Sequence, residues 1–275
     1  MAVLAAGSFV VAGMIRGEGH SSKLAPPPHF VTARAVAVLS GINGATLYDY
    51  RGNTRLAPGS LAKVMTALVV LERVGKLDLH AVVPKEALAR GGRQIGLAAG
   101  DRITIGNLLR CTMITGASDC AFTLANYVSG DEKRFVALMN ARAKGLGMTN
   151  TYFESETGAG SSGSYSSALD LGNLGRVIMQ STRFRAFVDT PVAMVSWPPS
   201  HVVILRSYGW LTHTYSWASG VGSRDIFGSG LCSIVFGVYK GHPLIVVTLD
   251  DKTTADQKAD VMALFRYGAR LARRR

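Results

Sequence analysis

Cysteine is scarce in this chain: Cys111, Cys120 and Cys232 are the only three in 275 residues, and their spacing matches no disulfide framework. A stapled scaffold is therefore excluded, and the three read as buried thiols in apolar surroundings. The six histidines include no His-Glu-x-x-His or similar pair. That argues against a zinc peptidase and against a resident metal, and leaves His213 as a structural residue. No glycine-rich phosphate loop is present, and the 31 glycines are scattered as turn and loop residues, so no cofactor is expected. Charge is sparse at 17%, and acidic residues are outnumbered 18 to 30, for a net charge of +12. Such a balance suits an anionic surface. The basic residues are spread along the chain, with Arg273-Arg274-Arg275 the one run, so nucleic acid is not expected as a partner and an anionic cell envelope is the better setting.

What is present is apolar. At 48% hydrophobic residues the chain can bury a sizeable core as one large or two small domains. Met1 to Ile15 is almost wholly apolar, short for a membrane span and about right for the core of a secretory signal. Residues 1–29 are expected to be a signal or anchor segment that includes a stiff Pro26-Pro27-Pro28 linker, with a buried N-terminal segment as the plain alternative. The folded domain then runs over 30–275.

Within it, Ala35 to Leu39 and Ala45 to Tyr48 are strand-like runs joined by a turn containing Asn43-Gly44, a hairpin signal. From Ile105 to Leu146 the pattern is helical, with breaks at Gly116 and at Ser129-Gly130-Asp131, which predicts a helical lobe over about 105–160 inserted in an α/β body. Asp170 stands near the start of another helix. Gly230 to Val238 and Pro243 to Leu249 predict an antiparallel strand pair turning at Tyr239-Lys240-Gly241-His242, and Ala255 to Leu271 an amphipathic closing helix.

The chain is organised around Pro58 to Glu72. Pro and Gly end one segment, and from Ser60 onward apolar residues occupy nearly every side, which predicts a helix buried all round. Ser60 and Lys63 are three apart on it, about 4.5 Å along the axis and on one face. A buried ammonium loses hydration, so its pKa falls and a neutral amine becomes available to take the serine proton. The unpaired N–H groups of the first turn suit an oxyanion. Ser-x-x-Lys alone arises by chance roughly once in a few hundred residues, and Ser60 after Pro-Gly could be only a helix cap, so the apolar context carries the weight.

Pro58 to Glu72 resembles the first motif of the serine D-alanyl-D-alanine carboxypeptidases, low-molecular-mass penicillin-binding proteins, which typically read Pro-Ala-Ser-x-x-Lys-x-Met-Thr-Ala-Leu. The motif set is a known signature of these proteins and of class A β-lactamases. The similarity extends from about Thr32 to about Asp251 and takes in Gly91 to Leu97, Gly100 to Ile105, Thr157-Gly158 and Tyr165 to Leu171. It implies a β-lactamase/transpeptidase-like α/β (α+β) fold, with a central antiparallel sheet flanked by helices and an inserted helical lobe. It implies Ser60 as the nucleophile and Lys63 as its base.

Two further family motifs depart from pattern. Where Ser-x-Asn-Asp-Ala is usual, the chain has Gly116-Ala117-Ser118-Asp119-Cys120, which puts Gly116 at the serine and Ser118 at the asparagine. A second register, Ser118-Asp119-Cys120 against the Ser-Asp-Asn of β-lactamases, keeps the serine and loses the asparagine. Where Lys-Thr-Gly is usual, the chain has Gly222-Ser223-Arg224, followed by Asp225. Arg224 lies two strand positions beyond the lost lysine, about 6.6 Å on along the same face. Read with the family, Ser118 joins the catalytic set and Ser223, Arg224 and Asp225 the substrate-binding set; read without it, this stretch is a Gly/Ser-rich turn with a surface arginine. The function implied is removal of the terminal D-alanine from peptidoglycan stem peptides outside the cytoplasm, with β-lactams as acylating inhibitors and membrane association through the N-terminus. The alternative is a catalytically impaired relative that binds stem peptides or muropeptides, and a weaker third is a β-lactamase, for which no deacylating glutamate stands out.

Overall fold

The computed structural model describes residues 31–160, 163–207, 215–223 and 230–274. The segment assigned to a signal or anchor, 1–29, lies outside the described residues. Strand β1 (Ala35–Ser40) turns through Asn43, whose side chain accepts the Ala45 N–H at 3.0 Å, and Gly44 at φ +75°, into β2 (Thr46–Tyr50). A 3-10 turn over Gly59–Leu61 then feeds α1 (Ala62–Arg73). The expected helix is there, with its first turn wound tighter than an α-helix.

A short antiparallel pair, β3 (His80–Val82) and β4 (Arg102–Thr104), leads into three helices: α2 (Ile105–Thr115), α3 (Ser118–Ser129) and α4 (Glu132–Gly145). The breaks fall where glycine was expected to make them. Gly116, at φ +70°, closes α2 in the left-handed conformation that glycine adopts at least cost, and the Asp131 side chain caps α4 by accepting the Arg134 N–H. Helix α5 (Ala168–Gln180) starts three residues after Tyr165, capped by Ser167, whose hydroxyl accepts the Asp170 N–H.

Besides the short pair β3–β4, the elements not anticipated are α6 (Thr182–Val188) and the hairpin of β5 (Val192–Trp197) with β6 (His201–Arg206). The hairpin alternates. Val195, Trp197 and Leu205 face inward in the core that also holds α2, while Val192, Met194, Val202 and Ile204 point outward.

The remaining strands, β7 (Ala218–Ser223), β8 (Leu231–Tyr239) and β9 (His242–Asp251), join the first hairpin in one five-stranded antiparallel sheet of order β2-β1-β9-β8-β7. Alternation divides its side chains between two cores. Ala35, Ala37, Leu39, Ile234, Phe236, Ile245, Val247 and Leu249 pack with helices α1 to α6, whereas Val36, Val38, Val235, Leu244 and Val246 pack with Val261, Leu264 and Phe265 of α7 (Thr254–Ala272). With each large apolar side chain so buried contributing about 1.5–3 kcal/mol, slipping a strand by one residue would exchange the two cores, so register is strongly specified. The sheet edge is β7, and it lies against the turn that carries Ser60. Among the described residues, no helix is long and apolar enough to cross a membrane.

Candidate active site

Pro58 and Gly59, the latter at φ +54°, turn the chain into the helix. In the 3-10 turn the Leu61 N–H bonds to the Pro58 carbonyl and that of Ala62 to the Gly59 carbonyl, which leaves the N–H of Ser60 itself as the donor this turn offers an oxyanion. Ser60, half-buried, lies in this turn and Lys63, three residues on, in the first turn of α1, a spacing that puts the two on one side. Lys63 is only 3% exposed, and its Nζ donates to the Thr157 carbonyl at 2.7 Å. Burial lowers its pKa to about 8, against the opposing pull of the Glu156 and Asp119 carboxylates. At neutral pH roughly a tenth of Lys63 is then free amine, against well under a thousandth for an exposed lysine.

The segment holding Lys63 is itself pressed onto the turn that carries Ser60. Thr66, one turn along α1, donates its hydroxyl to the Glu156 carbonyl at 2.7 Å. Gly158, at φ +68°, lies so close that a Cβ there would overlap the Gly59 carbonyl and sit 3.0 Å from the Ala62 Cβ. Only glycine satisfies both the backbone angle and the approach. Glu156 is fully buried, and neither of its carboxylate oxygens has a hydrogen-bond partner. Burial and the charge of Glu132 push its pKa up to about 7, with Arg90 pulling the other way. Glu156 and Thr157 were not singled out from sequence beyond the family likeness of Thr157-Gly158; the two carboxylates Glu154 and Glu156 ahead of a Gly-rich turn were the available signal.

Ser118 opens α3. It is fully buried, its N–H bonds to the Arg93 carbonyl at 2.6 Å, and its hydroxyl has no hydrogen-bond partner. It lies under the loop that resembles the family's, since a Cβ at Gly92 would come within 2.9 Å of its Oγ. Asp119 holds the same loop by accepting the Ile95 N–H at 3.0 Å, and its charge acts on Lys63, so the start of α3 adjoins the lysine. At the third motif, Ser223 pairs with Cys232, whose thiol donates to the Ala57 carbonyl at 3.8 Å. The end of β7 is thereby set beside the turn 57–61. Arg224, Asp225 and His213 lie outside the described residues. Cys111, Cys120 and Cys232 are all buried, and burial together with neighbouring Cys111 pushes the Cys120 thiol up. Among the described residues no cluster of His, Cys, Asp and Glu is arranged to hold a metal ion.

A serine at the head of a buried helix, a buried lysine of lowered pKa three residues on and an edge strand alongside define the active-site-serine class to which transpeptidases and β-lactamases belong. Comparison with known proteins narrows this. The family model for D-alanyl-D-alanine carboxypeptidases (peptidase S11) matches residues 22–253, and the chain belongs to that family of low-molecular-mass penicillin-binding serine hydrolases. The D-alanyl-D-alanine carboxypeptidase of Streptomyces sp. strain K15 is 28% identical over 96% of this chain and 97% of its own length. DacF of Bacillus subtilis strain 168 is 33% identical over 58% of this chain and 42% of its own, and DacC of Escherichia coli K12 is 33% identical over 54% and 40%. The chain thus spans less than half the length of the last two relatives. A mutant of the Streptomyces K15 DD-transpeptidase, a solved structure, superposes with a TM-score of 0.82 at 26% identity, over 88% of this chain and 98% of that one.

Proposed function

We propose that the protein is a serine-type D-alanyl-D-alanine carboxypeptidase of the cell envelope that removes the terminal D-alanine of peptidoglycan stem peptides through a Ser60 acyl-enzyme. The observation that carries this is the buried Lys63 on the side of the helix that carries Ser60, held by the Thr157 carbonyl with its pKa lowered to about 8. Neutral Lys63 takes the Ser60 proton as Oγ attacks the carbonyl of the penultimate D-alanine. The oxyanion forms against the Ser60 N–H. Lys63 then returns the proton to the leaving amine, D-alanine departs, and water hydrolyses the ester. β-Lactams acylate the same serine. Residues 1–29 serve export or membrane anchoring, which places the enzyme where its polymeric substrate lies.

In this reading Ser118 donates a hydrogen bond near Ser60, and Arg224, with Ser223 and Asp225, receives the substrate carboxylate at the end of β7. A bidentate arginine–carboxylate contact contributes roughly 1.5–3 kcal/mol per charged hydrogen bond when shielded from water. With Gly116 and Gly222 where the family carries serine and lysine, turnover falls by roughly 10²- to 10⁴-fold for a lost general acid or base. Fluorescent penicillin is expected to label the wild type and not Ser60→Ala, with D-alanine released from a D-Ala-D-Ala peptide. Absence of a Ser60-dependent label overturns the acyl-enzyme, and label without release marks a stem-peptide binder. Arg224→Ala should slow acylation by a carboxylate-bearing β-lactam at least tenfold; an unchanged rate rejects the anchor.

A further inference from the structure

At the end of β7 that lies away from Ser60, the sheet borders a cavity of about 480 Å³, an ordinary size for a small-molecule site. Ala218 and Ser219 of β7 form part of its wall. A rise of about 3.3 Å per residue puts Ala218 roughly 16 Å from Ser223, the β7 residue set beside the Ser60 turn. Much of the remaining wall is apolar, from Met179, Trp217, Phe236 and Ile245. The aromatic side is held in place by its neighbours. A Cβ at Gly237 would come within 2.8 Å of the Trp217 indole, so the bare backbone of β8 leaves room for the ring. Trp217 packs edge-on against Tyr239 and Phe265, with centroids 5.1 and 5.0 Å apart, and Tyr215, also in the wall, stands 5.3 Å from it.

Only two residues of this wall carry charge, Arg176 of α5 and Asp189 at the end of α6. Among the described residues their side chains pair neither with each other nor with any other group. Arg176 is half-buried, and its stem lies against the β1–β2 turn, where a Cβ at Gly44 would overlap its Cδ. A preformed apolar cavity thus offers one unused cation and one unused anion. A ligand with a single charge would match one of them and oppose the other. A solute that bears both charges on an apolar body matches each, since arginine takes a carboxylate through two parallel hydrogen bonds and a carboxylate accepts from an ammonium.

We propose that this cavity binds a small zwitterion with an apolar body, an aromatic α-amino acid in the simplest case, with its carboxylate on Arg176, its ammonium on Asp189 and its side chain against Trp217. Phenylalanine is titrated into the full chain by calorimetry beside two analogues that each lack one charge, 3-phenylpropionate and 2-phenylethylamine. Phenylalanine should bind about three- to tenfold more tightly than either, as one partly shielded ion pair allows. In Arg176→Gln it should bind no better than 2-phenylethylamine, and in Asp189→Asn no better than 3-phenylpropionate. Neither side chain has a partner to lose, so both variants should keep the wild-type melting temperature. Equal affinities for the three compounds, no saturable binding at millimolar concentration, or a preference that survives both variants overturns the site. Labelling of Ser60 by fluorescent penicillin should be the same in both variants and indifferent to phenylalanine; competition between the two would put the zwitterion in the Ser60 cleft and overturn the distal site as well.

Discussion

Replacing Glu156 by glutamine isolates the electrostatic control of Lys63, the base of the proposed reaction. Lys63 is lowered to about 8 by burial, while the negative charge of Glu156 opposes that shift by favouring the ammonium. Glu156 itself titrates at about 7, so its charge on Lys63 grows as pH rises through neutrality. A unit charge at a separation on the order of 6–8 Å, through an effective dielectric of about 20, contributes roughly 2–3 kcal/mol, and a carboxyl half-ionised near pH 7 about half of that, roughly one pKa unit. Glu156→Gln should therefore move the Lys63 midpoint down by about one unit, raising the free-amine fraction at pH 7 from roughly a tenth to roughly a half. The second-order rate of penicillin acylation, followed by stopped-flow fluorescence between pH 6 and 9.5, should rise about fivefold at pH 7 and be unchanged at pH 9. Glutamine keeps the shape and removes a buried charge with no hydrogen-bond partner, so the fold should not suffer. An unmoved profile, or one displaced to higher pH, would refute the coupling.

Asp251→Asn tests a second buried carboxyl. Asp251 is raised to about 8 by burial and by neighbouring Asp260, whose side chain accepts the N–H groups of Thr32 and Ala33 at 2.6 and 2.7 Å. Because the folded-state pKa lies above the usual 3.8, Asp251 adds stability at low pH and that contribution is lost as pH rises from about 4 through about 8. The Asn variant should match wild type in melting temperature at pH 4 and exceed it at pH 8; a gap that does not widen with pH would count against a raised Asp251 pKa. Gly158→Ala should cost about 1–3 kcal/mol in urea unfolding and displace the Ser60 turn enough to suppress penicillin labelling, because φ is +68° and the Gly59 carbonyl occupies the Cβ position; normal labelling would show that the approach is not needed. Gly116→Ser returns a hydroxyl to the second motif at a site where an added Cβ meets nothing within 4 Å. It should lower stability by about 1 kcal/mol through the left-handed backbone while speeding D-alanine release, and unchanged turnover would mean the hydroxyl is not the missing group.

Local signals in the sequence were enough for the first hairpin, for the three helices between Ile105 and Gly145, for the strand pair β8–β9 and for Ser60 and Lys63 on one helical turn. Each depends on residues within a few positions of one another: Asn43-Gly44 for a turn, Gly116 and Asp131 for helix ends, a spacing of three for Ser60 and Lys63. The hairpin β5–β6 escaped notice because its outward face carries Val192, Met194, Val202 and Ile204, which blurs the polar–apolar alternation that marks a strand. Tertiary structure alone decided what surrounds Lys63. Thr157 stands 94 residues from Lys63, and the carboxyl groups that bear on the lysine come from α3 and from the loop after α4. Desolvation depends on what the whole chain packs around a group, and no spacing rule encodes it. The sequence by itself determined which residues could react; folding decided that Lys63 is dry enough to act as an amine and that Glu156 is buried without a partner beside it.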